Sequence, residues 1–183
     1  MSAREAATTQ QSIAGAAYSR TEIELAAFVD AHYDRLLRLA RLVSRDVTDA
    51  ADAVQIALEQ AWRSRSSLRD PTRLRPWLDR IVVREAIRID RRHRGFLGLI
   101  RPIRELPMDE PSDSRSEVAA DWTALRVAFA QLSAEQRAAI ALHLHAGYSV
   151  AETAQIVGAK EETVRSRIRL AKDRLRRELE APR

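Results

Sequence analysis

Between Ser149 and Leu175 apolar residues recur at helical spacing, and a single glycine cuts the pattern in two. Val150, Thr153, Ala154 and Val157 mark one face of a short helix with Ser149 as its N-cap. Gly158 follows, the residue type that ends a helix in the left-handed conformation at least cost. Ala159 and Lys160 make the turn, and Glu161 or Glu162 opens a second helix. There Val164, Ile168, Ala171 and Leu175 fall on one stripe. Two helices joined so tightly must cross, and Ala154 is small where they would meet. The spacing predicts a helix-turn-helix. Arg165, Ser166 and Arg169 lie off the stripe near the start of the second helix, where a groove-entering helix meets base edges. Lys172, Arg174, Arg176 and Arg177 lie further along and suit phosphates, which position without specifying. A solvated basic face on an ordinary helix hairpin has the same residue types, so both readings stay open at this point.

A second cationic face lies upstream. Arg80, Arg84, Arg88 and Arg91 share one side of a predicted helix, while Leu78, Ile81, Val82, Ala86 and Ile89 share roughly the other. Only Glu85 and Asp90 offer pairs within that helix, and repeated like charges at this spacing destabilise it slightly. Such a face is a candidate for phosphate contact. Arginine count alone says less. All of the basic residues except Lys160 and Lys172 are arginine, and codon bias in a GC-rich genome gives the same excess.

The rest of the chain fits the same class. Thr21 caps a helix that carries Leu25, Phe28, Val29, Leu36, Leu39, Ala40 and Val43 and ends near Ser44–Asp46. A second begins at Thr48 or Asp49, carries Ala53, Val54, Ile56, Ala57, Leu58, Ala61 and Trp62, and stops before Pro71. Pro76 fits the first turn of a third, which runs from Trp77 to about Arg94. Residues 95–120 hold three of the six prolines and an excess of acidic over basic residues, the composition of a linker. Four further helices are expected over 121–132, 133–146, 149–157 and 161–179. With few glycines and prolines and a core of aliphatic residues, the expected fold is all-α: two small helical domains, 21–94 and 121–183, joined by a flexible linker.

Several functions are excluded or disfavoured. There is no cysteine, hence no disulfide framework or thiolate metal site. No apolar run is long enough to span a membrane, and residues 1–20 lack the apolar segment of a signal peptide. They read as a disordered leader, and the expected location is the cytoplasm. His143 and His145 stand about 200° apart on a helix and cannot easily share an ion, so no metal or other cofactor is expected. No nucleophile–base set or phosphate-cradling glycine loop occurs, which disfavours an enzyme. Trp62 and Trp122 read as core anchors, while Trp77 sits at the edge of the basic face.

Three stretches then carry a resemblance. "DAADAVQIALEQAWR" (Asp49–Arg63) is similar to the pattern "DAEDLVQETFLRAWR", and "RPWLDRIVVREAIRIDRR" (Arg75–Arg92) to "RAWLLRIARNRALDLLRR". Both patterns belong to region 2 of the extracytoplasmic-function (ECF) sigma factors. The stretch Leu132–Leu175 resembles their region 4. The resemblance implies a protein that binds core RNA polymerase, recognises promoter DNA near −10 and −35, and melts it. It would be cytoplasmic, nucleoid-associated in the holoenzyme, and a target for an anti-sigma factor. It points to Asp52, Val54, Gln55 and Leu58 as contacts to the clamp of the large polymerase subunit, with core packing as the plainer role for Val54 and Leu58. It points to the loop Ser64–Leu74 as a capture site for a flipped −10 base, with Arg65, Leu68, Arg69, Leu74, Trp77, Arg80, Arg84 and Arg88 toward −10 DNA. Region 4 would read −35 through Lys160, Thr163, Arg165, Ser166, Arg167 and Arg169. The linker would thread the polymerase cleft, its acidic residues mimicking nucleic acid.

The chain departs from that pattern at Ile56, where the family carries glutamate, at Arg84 (asparagine), at Arg88 (aspartate) and at Ser133 (often proline). Two rivals are weighed beside it. A conventional helix-turn-helix regulator would bind an operator without polymerase. A DNA-rearranging enzyme would need a sheet and a catalytic Ser or Tyr.

Overall fold

The computed structural model describes residues 20–68, 70–97, 125 and 127–180. Within them α1 spans Arg20–Val43, α2 Val47–Ser64, α3 Leu74–Leu97, α4 Ala134–Ile140, α5 Val150–Val157 and α6 Glu161–Glu180. Residues 127–130 are also helical, and single turns of tighter helix occur at Arg65–Ser67 and Pro71–Arg73. No strand occurs among the described residues. Apart from Arg20 and 95–97, the expected leader and linker lie outside them, as does Trp122.

The first three helices build one module. Asp46 caps α2 by accepting the Asp49 N–H at 2.7 Å. The buried face of α2 is almost all alanine (Ala50, Ala53, Ala57 and Ala61, with Val54), which lets α1 and α3 approach closely around Leu36, Leu74, Leu78 and Val82. The third helix starts at Leu74 rather than Trp77 and continues past Arg94 to Leu97. Pro76 is its third residue, where the missing N–H has no intrahelical partner to lose. Gly95 inside a helix costs only about 1 kcal/mol relative to alanine, so it does not end one by itself.

The second module is built from caps. Ser133 and Gln136 form a reciprocal capping box at α4, and Ser149 and Glu152 form another at α5. The departure at position 133 is thereby explained: proline could not donate the N–H that Ser133 gives to Gln136 Oε1 at 2.9 Å. Where one continuous helix was expected over 133–146, α4 widens into a π-helix at Ala141–His145, closed by the Ala146 N–H on Ala141 O at 2.8 Å. Gly158 ends α5 at φ 68, the left-handed cap expected.

The two modules are packed together, which the sequence did not indicate. One apolar core takes Leu39, Val43, Val83, Ala86 and Ile87 from the first and Ala138, Leu142, Tyr148 and Ile156 from the second. Ile56 packs against this shared core. Polar bonds fix the register. Fully buried Arg137 donates to Val43 O at 2.9 Å, Leu132 O at 2.7 Å and Asp90 Oδ1 at 2.8 Å. Asp90 also accepts from Arg45 Nε at 2.9 Å, so one buried carboxylate serves two guanidiniums. Tyr148 Oη donates to Asp79 Oδ2 at 2.7 Å, and Arg35 meets both oxygens of the same carboxylate. At the rim Arg91 pairs with Glu135, and Arg75 donates to Ala146 O.

Candidate nucleic-acid interface

On α3 the buried side is set by Leu78, Asp79, Val82, Val83, Ala86 and Asp90, which turns Arg80, Arg84 and Arg88 outward. Arg88 is held by Glu85, and Glu85 also accepts from Gln60. Arg80 and Arg84 form no ion pair among the described residues. Burial, and then repulsion from Arg80, lower the pKa of Arg84.

At the head of α3 the loop makes a cleft of about 730 Å³. Leu68, Trp77 and Arg80 line one side, Asp70 and Arg73 the rim, and Gln155 of α5 the far wall. Asp70 shapes the loop by accepting the Thr72 hydroxyl at 2.7 Å and the Thr72 N–H at 3.0 Å. These bonds, the hydroxyl first, hold its carboxyl below the usual aspartate range. Trp77 is half-buried, with its ring in the cleft wall. Three other sequence candidates are placed differently. Leu74 is buried in the module core and supports the loop from below. Arg65 is bound to Glu22 at 2.6 Å and lies over the Trp62 ring, 4.8 Å from its centre. Arg69 lies outside the described residues. Trp62 itself is exposed rather than a core anchor: the buried stripe of α2 runs through Ala57 and Ala61, one residue aside.

The helix-turn-helix is built as the spacing predicts. Val164 and Ile168 pack on Ala139 and Ala154, and Ala171 packs beside Phe129, Leu132 and Ile140. Lys160, Thr163, Arg165 and Arg169 are exposed, and Ser166 is partly so. Arg165 pairs with Glu161 at 2.9 Å and Glu162 at 3.6 Å, exposed contacts weak enough to be exchanged for phosphates or bases. Arg167 turns away from this surface, toward α3. His143 uses Nδ1 on Tyr148 O at 2.7 Å, and His145 is exposed.

On α2, Asp52 and Gln55 are exposed and Leu58 is half-buried, so a partner could reach all three. Val54 is fully buried and is packing.

Comparison with known proteins gives the family. Residues 28–101 match the model of "Sigma-70 region 2" and residues 122–175 that of "Sigma-70, region 4". Over 146 residues the chain is 38% identical to the ECF RNA polymerase sigma factor SigM of Mycobacterium tuberculosis, covering 80% of this chain and 72% of that one. The chain belongs to the ECF sigma factors. This sigma factor is also 33% identical to SigL of the same organism, over 90% of its own length and 93% of the relative's. Among solved structures it resembles the sigma factor RpoE of Bartonella quintana, in complex with the anti-sigma factor NepR, at TM-score 0.65 and 26% identity, covering 85% of this chain and 96% of that one. It resembles CnrH, in complex with the cytosolic domain of CnrY, at TM-score 0.55 and 26% identity, covering 87% and 89%.

What the sequence missed are the residues that join the modules: Asp79, Asp90, Arg137 and Tyr148. A signal was present. Asp79, Val83, Ala86 and Asp90 lie on one face of α3, and carboxylates on an apolar face require a cationic partner from elsewhere.

Proposed function

We propose that this sigma factor docks on core RNA polymerase through Asp52, Gln55 and Leu58 of α2, with Val54 holding that surface from beneath. The loop cleft at the head of α3 takes the −10 region, Trp77 offering a stacking surface and Arg80, Arg84 and Arg88 contacting the backbone. The start of α6 takes the −35 region, with Arg165, Ser166 and Arg169 toward base edges and Lys160 and Thr163 toward phosphates. The supporting observation is that the α6 face is exposed while the opposite face is locked into its own module. Arg65 and Leu74 shape the −10 loop. The work is that of a specificity subunit, not an enzyme, and its place is the cytoplasm; no helix among the described residues is long and apolar enough to cross a membrane. An anti-sigma protein, the kind of partner recorded for RpoE, completes the partners.

The reading requires the modules to part. About 25 base pairs at ~3.4 Å each separate the two elements by roughly 85 Å of duplex. A compact chain of this length is only about 40 Å across. The packed form therefore cannot place both surfaces on one promoter. The test is co-purification with core polymerase, then transcription of a genomic library with core alone and with core plus protein. New transcripts from fixed start sites are the expected result. Absence of polymerase binding, with tight binding of free protein to an operator, would instead establish a conventional regulator.

A further inference from the structure

A second cleft, of about 660 Å³, opens between α3 and the helix-turn-helix. Its α3 wall carries Arg84, Arg88, Arg91 and Arg92, and its opposite wall carries Gly158 and Arg167. The one carboxylate among its lining residues, Glu135, is bonded to Arg91. Arg88 is held by Glu85. Arg84, Arg92 and Arg167 form no ion pair among the described residues. The guanidinium of Arg84 presses against the turn so closely that a Cβ on Gly158 would sit 2.6 Å from its Nη2. Closing the modules thus gathers like charge from both sides, and burial already lowers the pKa of Arg84.

Guanidinium groups lining one cleft match phosphate oxygens, which they grip through paired hydrogen bonds. The volume falls in the range of small-ligand sites and is too small for a duplex. We propose that this cleft binds a small diphosphate anion, which bridges Arg84 and Arg92 of α3 to Arg167 of α6 and clamps the two modules together. A ligand that binds only the packed form shifts the population toward it by mass action. It would thereby oppose the opening that promoter binding requires. The binding claim does not rest on the promoter reading, because it is measured without DNA or polymerase.

The experiment is calorimetric titration of the full chain in phosphate-free, low-salt buffer with pyrophosphate and, separately, ADP. One saturable site is expected. Arg84→Gln and Arg167→Gln should each weaken it about tenfold or more, the scale of a charge-assisted hydrogen bond. An Arg38→Gln/Arg63→Gln double variant, altered on exposed positions of α1 and α2 away from the cleft, should bind as the parent does. At one pyrophosphate concentration the melting temperature of the parent should rise more than that of Arg167→Gln. Tighter binding of ADP points to a nucleotide source, and of pyrophosphate to the free anion. No saturable binding, several equivalent weak sites, or equal loss in the control double variant would overturn the proposal. So would an Arg167→Gln chain that binds unchanged, since the site would then belong to α3 alone and clamp nothing.

Discussion

Replacing Arg137 with methionine tests whether the two modules fold as one body. The side chain is fully buried, and it donates to Val43 O, Leu132 O and Asp90. Methionine keeps much of the volume and removes every donor. Removing one partner of a buried ion pair costs about 3–5 kcal/mol, because the remaining groups stay desolvated. Here the cost is borne by Asp90, left with Arg45, and by two carbonyls. The bonds to Val43 O and Asp90 cross between modules, so much of the loss falls on the packed arrangement. A loss of about 3 kcal/mol changes the ratio of packed to parted forms by more than about a hundredfold. Urea unfolding followed by circular dichroism provides the assay. The parent should unfold in one transition, since Leu39, Val83, Leu142 and Ile156 share a core. Arg137→Met should lose about 3–5 kcal/mol or split into two transitions. Asp90→Asn alone and the double variant complete a cycle whose coupling should exceed about 1 kcal/mol. A single transition shifted by less than about 1 kcal/mol would refute the argument that this arginine ties the modules.

Other outcomes follow from the same geometry. Burial first, and then the Asp79 charge, push the Tyr148 hydroxyl well above its ordinary pKa. Its stabilising effect is therefore complete below about pH 10, where unfolded tyrosine titrates, and is lost as pH rises beyond that. Tyr148→Phe should flatten the alkaline fall in stability and cost about 1.5–3 kcal/mol at neutral pH, the scale of a hydrogen bond to a charged group, both read from denaturation midpoints. Gly158→Ala and Gly147→Ala each force alanine to positive φ, costing about 1–2 kcal/mol. Only the first also displaces Arg84, so any excess in Gly158→Ala measures that contact. Arg165→Ala and Arg169→Ala should reduce initiation that depends on the −35 element, with core binding unchanged in a pull-down; equal loss of both would reassign the helix.

The local architecture was legible because it depends on nearby residues. The Val164–Ile168–Ala171 stripe, the Gly158 cap and the outward arginines of α3 all follow from helical period and cap chemistry, and the structure shows them as expected. The association of the modules was not legible. Arg137 is buried only because Val43, 94 positions earlier, offers its carbonyl, and no local pattern encodes that meeting. An arginine inside a short helix reads as solvent-facing by default. Trp62 failed for a smaller reason. Size suggested an anchor, yet the strict spacing of Ala50, Ala53, Ala57 and Ala61 already assigned the buried line to its neighbours, and Arg65 one turn on offered its ring a cation. The widened turn at Ala141–His145 leaves His143 and His145 on different sides, the first bonded to Tyr148 O and the second exposed.

The shared core also has a consequence for the protein at high concentration. Its surfaces on Val83, Ile87, Leu142 and Ile156 are complementary whichever chain supplies them. A region 4 module released from its own region 2 can therefore close on that of a second copy. The exchanged dimer would keep every bond of the monomer, including Arg137 to Asp90 and Tyr148 to Asp79. Its yield is set by protein concentration against the effective concentration of the tether, of millimolar order for short connections. Concentrated stocks are then expected to hold a slowly interconverting domain-swapped population that behaves, contact for contact, like the single chain.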